Sequence, residues 1–174
     1  GTMKLVNRTD EPIADLHLVL DRQTEVHSFG IDDKHRTLYD ADLGYSIYKL
    51  PEPLAPGAEM ELKIDVTRAY RGFVNSSSPT NIVYNGTFFN HTTVVPSIGY
   101  SRQVEIGDPE TRRKYDLPER PRMYAIDNEQ AKQNTYIAHD SDWIDFEAKV
   151  TTDEGQIALA PGYLQTESVK DGRH

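Results

Sequence analysis

Hydrophobic and polar residues alternate one by one along two stretches of the chain. In Glu59-Met60-Glu61-Leu62-Lys63-Ile64-Asp65-Val66 the apolar residues Met60, Leu62, Ile64 and Val66 share one face, and the charged residues share the other. From Trp143 to Val150, Ile144, Phe146, Ala148 and Val150 face one way, while Asp145, Glu147 and Lys149 face the other. A period of two is the signature of a strand with one face on a core and one in water. Weaker strand signals fall at 4–6, 15–20, 25–29, 43–50, 82–89, 102–106 and 156–160. Turn residues separate them. Pro51, Pro53 and Pro56-Gly57 precede the first alternating strand, and Asn75-Ser76-Ser77-Ser78-Pro79 follows it. Asp153-Glu154-Gly155 reads as a hairpin turn joining the second alternating strand to 156–160.

Two short helices fit the pattern. One has Asp108 as N-cap, Pro109 at its first position and Glu110 in its first turn, and runs to about Tyr115. The other lies around 128–133. Neither is long enough to cross over between parallel strands. The expected fold is therefore mainly β: an antiparallel β-sandwich or saddle-like set of sheets with one or two short helices.

The 174 residues fit one domain. Residues 1–2 read as a cloning scar and 3–174 as a single β domain, a fragment of a larger protein. No apolar run approaches the roughly 18 residues of a membrane span, so direct membrane insertion is not expected. The net charge of −9 repels phosphate backbones and argues against nucleic acid as a partner. One basic cluster, Arg112-Arg113-Lys114 with Arg120 and Arg122, is interleaved with Glu110, Asp116 and Glu119 and reads as a solvated helix face. Cysteine is absent, which removes disulfides, thiol catalysis and thiolate metal sites. Sequons at Asn7, Asn75, Asn85 and Asn90 read as chance in a bacterial-type sequence.

The chain alone offers no catalytic machinery. None of its six histidines forms an HExxH pair, and neither a GxSxG elbow, a Walker loop nor a GxGxxG is present. His17, between Leu16 and Leu18, reads as a surface residue of a strand. His27 and His35 flank Asp32-Asp33 in what reads as a polar loop. No metal or cofactor is expected in this chain. The unusual stretch is 82–100, with two glycines, adjacent Phe88 and Phe89, and Asn85 and Asn90 at strand-turn positions. A buried aromatic corner accounts for it, with Phe88 in the core and Phe89 on the opposite face; so does a surface presented to a neighbouring domain or a ligand.

That stretch also carries a resemblance. Asn85-Gly86-Thr87-Phe88-Phe89-Asn90 followed by Pro96-Ser97-Ile98-Gly99-Tyr100 is similar to a branch of the aminopeptidase N family in which a zinc aminopeptidase region is fused to ABC-type permease segments. The stretches YKLPEPLAPGAEMELKIDV (48–66), RRKYDLPERPRM (112–123) and DWIDFEAKVTTDEGQIALAPGYL (142–164) fit the same branch, and the likeness runs from about Met3 onward. The resemblance implies the N-terminal β domain of such a peptidase, a saddle of sheets that walls one side of the substrate cleft. Zinc and catalysis would then belong to a catalytic domain elsewhere in the parent chain. The partners implied are that domain and a peptide substrate at the shared cleft, with Asn85, Gly86, Thr87, Phe89 and Asn90 as cleft residues. The implied location is a soluble, extracytoplasmic domain of a membrane-linked bacterial protein. The family's polar amine-anchoring residue ahead of the strand end is matched here only by Asn85 and Asn90, neither an acid. A free-standing ligand- or carbohydrate-binding β-sandwich is the other class the residues allow.

Overall fold

A computed structural model describes residues 1–70, 80–99, 105–120, 124–129, 131–133 and 144–174. The fold is mainly β and, among the described residues, antiparallel throughout. The strands are β1 (Thr2–Val6), β2 (Ile13–Val19), β3 (Thr24–Ser28), β4 (Arg36–Asp40), β5 (Tyr45–Leu54), β6 (Glu59–Lys63), β7 (Asp65–Arg68), β8 (Ile82–Val83), β9 (Gly86–Thr87) and β10 (Ser97–Ile98). One sheet has the order β10-β2-β5-β4, and three ribbons pair β1 with β6, β3 with β7, and β8 with β9. The expected β architecture is therefore present.

The core lies where the four-stranded sheet meets the first two ribbons. Leu16 and Leu18 of β2 and Tyr48 and Leu50 of β5 point inward at every second position, and they meet Leu62 of β6, Leu20 and Phe29. Met3, Leu5, Met60, Ile64 and Val66 pack around this cluster. The first alternating segment thus turns the face its pattern marked toward the core, with Leu62 at 0% exposure and Met60, Ile64 and Val66 half-buried. It is not one strand, however. At Ile64 the chain changes partners, from β1 to β3, and the Ile64 N–H donates to the Gly1 carbonyl at 2.8 Å. Thr2 pairs with Lys63 and so belongs to the sheet, although the sequence sets it apart from the domain.

Two residues anchor the loops around this core. Asn7 is 1% exposed and its amide is fully used: Nδ2 donates to the Glu11 and Leu54 carbonyls, both at 2.8 Å, and Oδ1 accepts from the Thr9 N–H and hydroxyl. The sequon Asn7-Arg8-Thr9 is thus a closed loop staple, and its nitrogen faces protein rather than solvent. Asn7→Ala leaves two carbonyls, an N–H and a hydroxyl to find new partners, so it should cost about 1–3 kcal/mol in a urea melt. Gly44 turns β4 into β5 at φ 63°, and a Cβ there would sit 2.0 Å from the Leu20 carbonyl oxygen. Only glycine fits that approach.

The second alternating segment corrects the expectation. Residues 144–150 form no strand and have no ladder partner among the described residues, and Ile144, Phe146, Ala148 and Val150 are exposed rather than buried. Alternation makes a strand possible, but burial needs a sheet edge to supply hydrogen bonds and a core to cover the apolar face. The described core draws on residues 3–66 and Ile98 and leaves this segment outside it. The turn at 153–156 forms, with the Gln156 N–H on the Asp153 carbonyl at 3.1 Å and Gly155 at φ 88°. Its partner is different from the expected strand 156–160, which is absent. Thr152 and His174 exchange two backbone hydrogen bonds, and Asp153 bridges to Arg173. Of the expected strand at 102–106, positions 102–104 lie outside the described residues and 105–106 carry no strand.

The first helix forms where its caps place it. Helix α2 spans Pro109–Lys114 (α1 is the His91–Val94 turn described below), and the Asp108 carboxylate accepts from the Thr111 N–H at 2.6 Å. Hydrogen bonds from the Thr111 side chain and N–H are the main reasons its pKa lies below the usual carboxylate range. The basic face is only partly solvated. Arg112 is buried, donating to the Pro118 and Ile106 carbonyls at 2.8 Å each and pairing with Glu105 at 3.1 Å. An arginine with five donors can close a loop on itself in this way, which a charge pattern alone does not reveal. A 3₁₀ turn at Ala131–Gln133, capped by the Asn128 side chain, stands for the second helix.

Candidate functional site

The segment 82–99 is built as a protruding hairpin on a fixed base. Ile82 pairs with Thr87 and Val83 with Gly86, leaving Tyr84-Asn85 as a two-residue loop, and the Phe88 N–H closes the hairpin on the Asn81 carbonyl at 2.6 Å. Each arm is only two residues long, so neither face is pressed onto the core. Tyr84 is 102% exposed, Phe88 73% and Phe89 52%. Phe88 is therefore not a core residue, as strand alternation suggested, and the segment is not a buried aromatic corner. A strand places its tandem side chains on opposite faces only while it lasts, and β9 ends at Thr87.

The base is held at Thr93 and at 96–99, and Asn90 leads into it. Asn90 sits at the N-cap of helix α1 (His91–Val94), where its side-chain oxygen accepts from the Thr92 hydroxyl at 2.6 Å and the Thr93 hydroxyl at 3.2 Å. The Thr24 hydroxyl donates to the Thr93 carbonyl at 2.7 Å, tying α1 to the start of β3. Pro96 is fully buried, β10 pairs Ser97 and Ile98 with Val19 and Leu18, and the Gly99 N–H reaches the His17 carbonyl at 2.9 Å. A rigid frame thus carries an exposed aromatic tip.

Of the candidate cleft residues, Asn85, Gly86 and Thr87 share the hairpin, Phe89 follows it, and Asn90 marks where the base begins. Asn85, Thr87, Phe89 and Asn90 are exposed and Gly86 is half-buried. Asn85 makes no hydrogen bond among the described residues. An open apolar depression of 330 Å³ lies at Leu50, Pro51, Glu52, Leu54 and Met60, toward the C-terminal end of β5.

No protein-family model matches this chain, and no curated protein or solved structure gives a significant match. The site must stand on its geometry.

Histidines contribute little to it. His17 is half-buried on the outer face of β2 and bonds to the Tyr45 hydroxyl, and His27 bonds to the Thr67 hydroxyl at 2.8 Å. Among the described residues no three His, Asp or Glu side chains come together as a metal ion requires, and no helix is long and apolar enough to cross a membrane. His139 lies outside the described residues.

Sequence reasoning missed one organising residue near the base. The Arg68 guanidinium is 9% exposed and fans out to Asp21 at 2.7 Å, Thr24 and Gln23 at 2.9 Å each, and Tyr70 at 2.9 Å and 3.2 Å. A signal for it existed. The stripe 60, 62, 64, 66 points inward, and Arg68 is the next position on it. An arginine on an apolar stripe is buried only where several acceptors meet it.

Proposed function

We propose that this chain is the non-catalytic N-terminal scaffold and cleft-wall domain of a membrane-linked zinc aminopeptidase-like protein. The observation that carries the reading is the aromatic tip. Tyr84, Phe88 and Phe89 stand in solvent beside Asn85 and Asn90, on a base held at Thr93 and Pro96. Three large aromatic side chains left in solvent within six residues of sequence fit a surface that another body covers. The unburied alternation at Ile144, Phe146, Ala148 and Val150 adds a second surface in want of a neighbour. The occupant proposed is the catalytic domain of the same parent chain, with peptide substrate in the cleft between them. Zinc and the catalytic acid and base then reside in that domain.

The alternative is a free-standing binding module, and it predicts an aromatic platform on a sheet face. On the four-stranded sheet the exposed aromatic side chain is Tyr39, which lies under Arg36, whose guanidinium is 4.9 Å from the ring. Tyr84 of the hairpin loop and Phe88 and Phe89 just after β9 lie off that sheet.

The reading is tested first by the coding sequence downstream of His174, which should encode an HExxH-type zinc peptidase signature; an uninterrupted stop or an unrelated domain overturns it. In the full-length protein, Asn90→Ala should weaken peptide turnover by about 1–3 kcal/mol through the lost amide contact. The same change should leave the melting of the isolated domain nearly unmoved, because the Asn90 side chain is exposed and bonds only to two neighbouring hydroxyls.

A further inference from the structure

We infer that Asn85 is a site of spontaneous, sequence-selective deamidation, which converts the hairpin tip from a neutral to an anionic surface. Asn85 is followed by Gly86, and Asn-Gly occurs once in the chain. The reaction is intramolecular. The Gly86 backbone nitrogen loses its proton and attacks the Asn85 Cγ, the bond from Cγ to the side-chain nitrogen breaks, and ammonia departs. Water then opens the five-membered imide at one of its two carbonyls, leaving aspartate or isoaspartate. No oxidant, metal or enzyme is required.

Three features of the hairpin favour the attack. First, the Asn85 amide is exposed and makes no hydrogen bond among the described residues, so nothing holds it away from the backbone. Second, no atom lies within 4 Å of where a Cβ on Gly86 would stand, so the attacking nitrogen carries no bulk beside it and the imide has room to form. Third, the turn must open briefly to bring nitrogen and Cγ together, and this turn is held by two residue pairs and one Phe88–Asn81 hydrogen bond. So short a ribbon opens at low cost.

The other described asparagines provide internal contrasts, and among them Asn81 is followed by the β-branched Ile82. Asn7 has both side-chain atoms engaged and is buried, followed by Arg8. The Asn90 oxygen accepts two hydroxyls and is followed by His91, and the Asn128 oxygen caps the 3₁₀ turn and is followed by Glu129. Bulky successors and engaged amides slow the closure at each.

The consequence is electrostatic. A new carboxylate beside Tyr84, Phe88 and Phe89 makes desolvating that aromatic tip more costly and adds one negative charge to a chain already at −9. Isoaspartate also inserts an extra backbone carbon into a two-residue loop, which breaks the Val83–Gly86 pairing. The tip therefore carries a built-in ageing reaction.

The test is incubation of the purified chain at mildly alkaline pH and physiological temperature, followed by peptide mapping. The expected result is a mass gain of one amide-to-acid exchange in the peptide carrying Asn85, with both aspartate and isoaspartate products. Its rate should exceed that at Asn90 by at least about tenfold, equivalent to roughly 1.4 kcal/mol in activation free energy. Gly86→Val should abolish the difference, and Asn85→Gln should remove the signal from that peptide. Because Gly86→Val could disturb the hairpin, the wild-type comparison of Asn85 with Asn90 and Asn128 decides the matter alone. Equal rates at the three sites, or faster conversion at Asn90, overturn the inference.

Discussion

Leu62→Ala is expected to destabilise the domain by about 3–5 kcal/mol, near the top of the range for a leucine truncated in a packed core. Leu62 has no exposed surface and stands where β6 meets the inward side chains of β2 and β5. The buried apolar cluster has seven members among the described residues, so each one is a large fraction of it. Tyr48 and Phe29 pack edge to face beside it at 6.2 Å, and Tyr48 also donates a long hydrogen bond of 3.4 Å to Asp33. Burial pushes the Tyr48 phenol above its usual pKa, which keeps it neutral in place. Rings engaged on two sides cannot slide in to fill a methyl-sized void, so the cavity stays open and its full cost is felt. Met60→Ala, one inward position earlier but only half-buried, should cost clearly less. A chemical melt that finds the two variants equal would show that the core is centred elsewhere.

The contrast between the two alternating segments shows what a one-dimensional pattern contains. At 59–66 the apolar face was readable and correct, because β1 and β3 lie ready to pair and the sheet supplies a core. At 144–150 the pattern is as regular, yet no partner edge reaches it among the described residues, and its apolar face is open. Periodicity reports which face would be buried, while pairing is decided by distant strands that a local pattern does not name. Cap chemistry travelled better. Asp108, Pro109 and Tyr115 marked the ends of α2 because capping is a contact between residues three apart. The strand Arg36–Asp40 escaped notice, since Arg36, Thr37, Leu38 and Tyr39 are all exposed on an edge and show little alternation. The hairpin tip was legible as unusual from Asn85-Gly86 and Phe88-Phe89. Its exposure was not, because two-residue arms leave no room for the face rule to act.

Arg68→Met should cost about 2–4 kcal/mol, less than a fully buried pair would because Asp21 remains 41% exposed. The substitution keeps the length of the side chain and removes five hydrogen bonds at once. It leaves the Asp21 carboxylate, the Gln23 amide oxygen and the Tyr70 hydroxyl without their shared donor. Arg68→Lys should recover only a minor part, since one ammonium cannot span acceptors arranged around a planar fork. The pH dependence identifies the mechanism. Burial pushes the Asp21 carboxyl up, but the Arg68 hydrogen bond, the Gln23 N–H and the charges of Arg68 and Arg22 together outweigh it and hold its pKa below the usual carboxylate range. A carboxyl with a depressed folded-state pKa contributes stability that is present above its unfolded value and is lost as pH falls through the folded value. The wild-type domain should therefore lose this contribution only in acid, below about pH 4. In Arg68→Met that acid-dependent increment should shrink, so the gap between the variant and wild type should be wide at neutral pH and narrow at pH 3. Thr24, which accepts from Arg68 at 2.9 Å, also donates to the Thr93 carbonyl under the aromatic hairpin. Hydrogen exchange at 91–95 should accordingly rise in the variant, even though α1 is more than twenty residues away in sequence. A pH-independent loss of stability with unchanged exchange at α1 would reduce Arg68 to a packing residue of β7 and detach it from the hairpin's base.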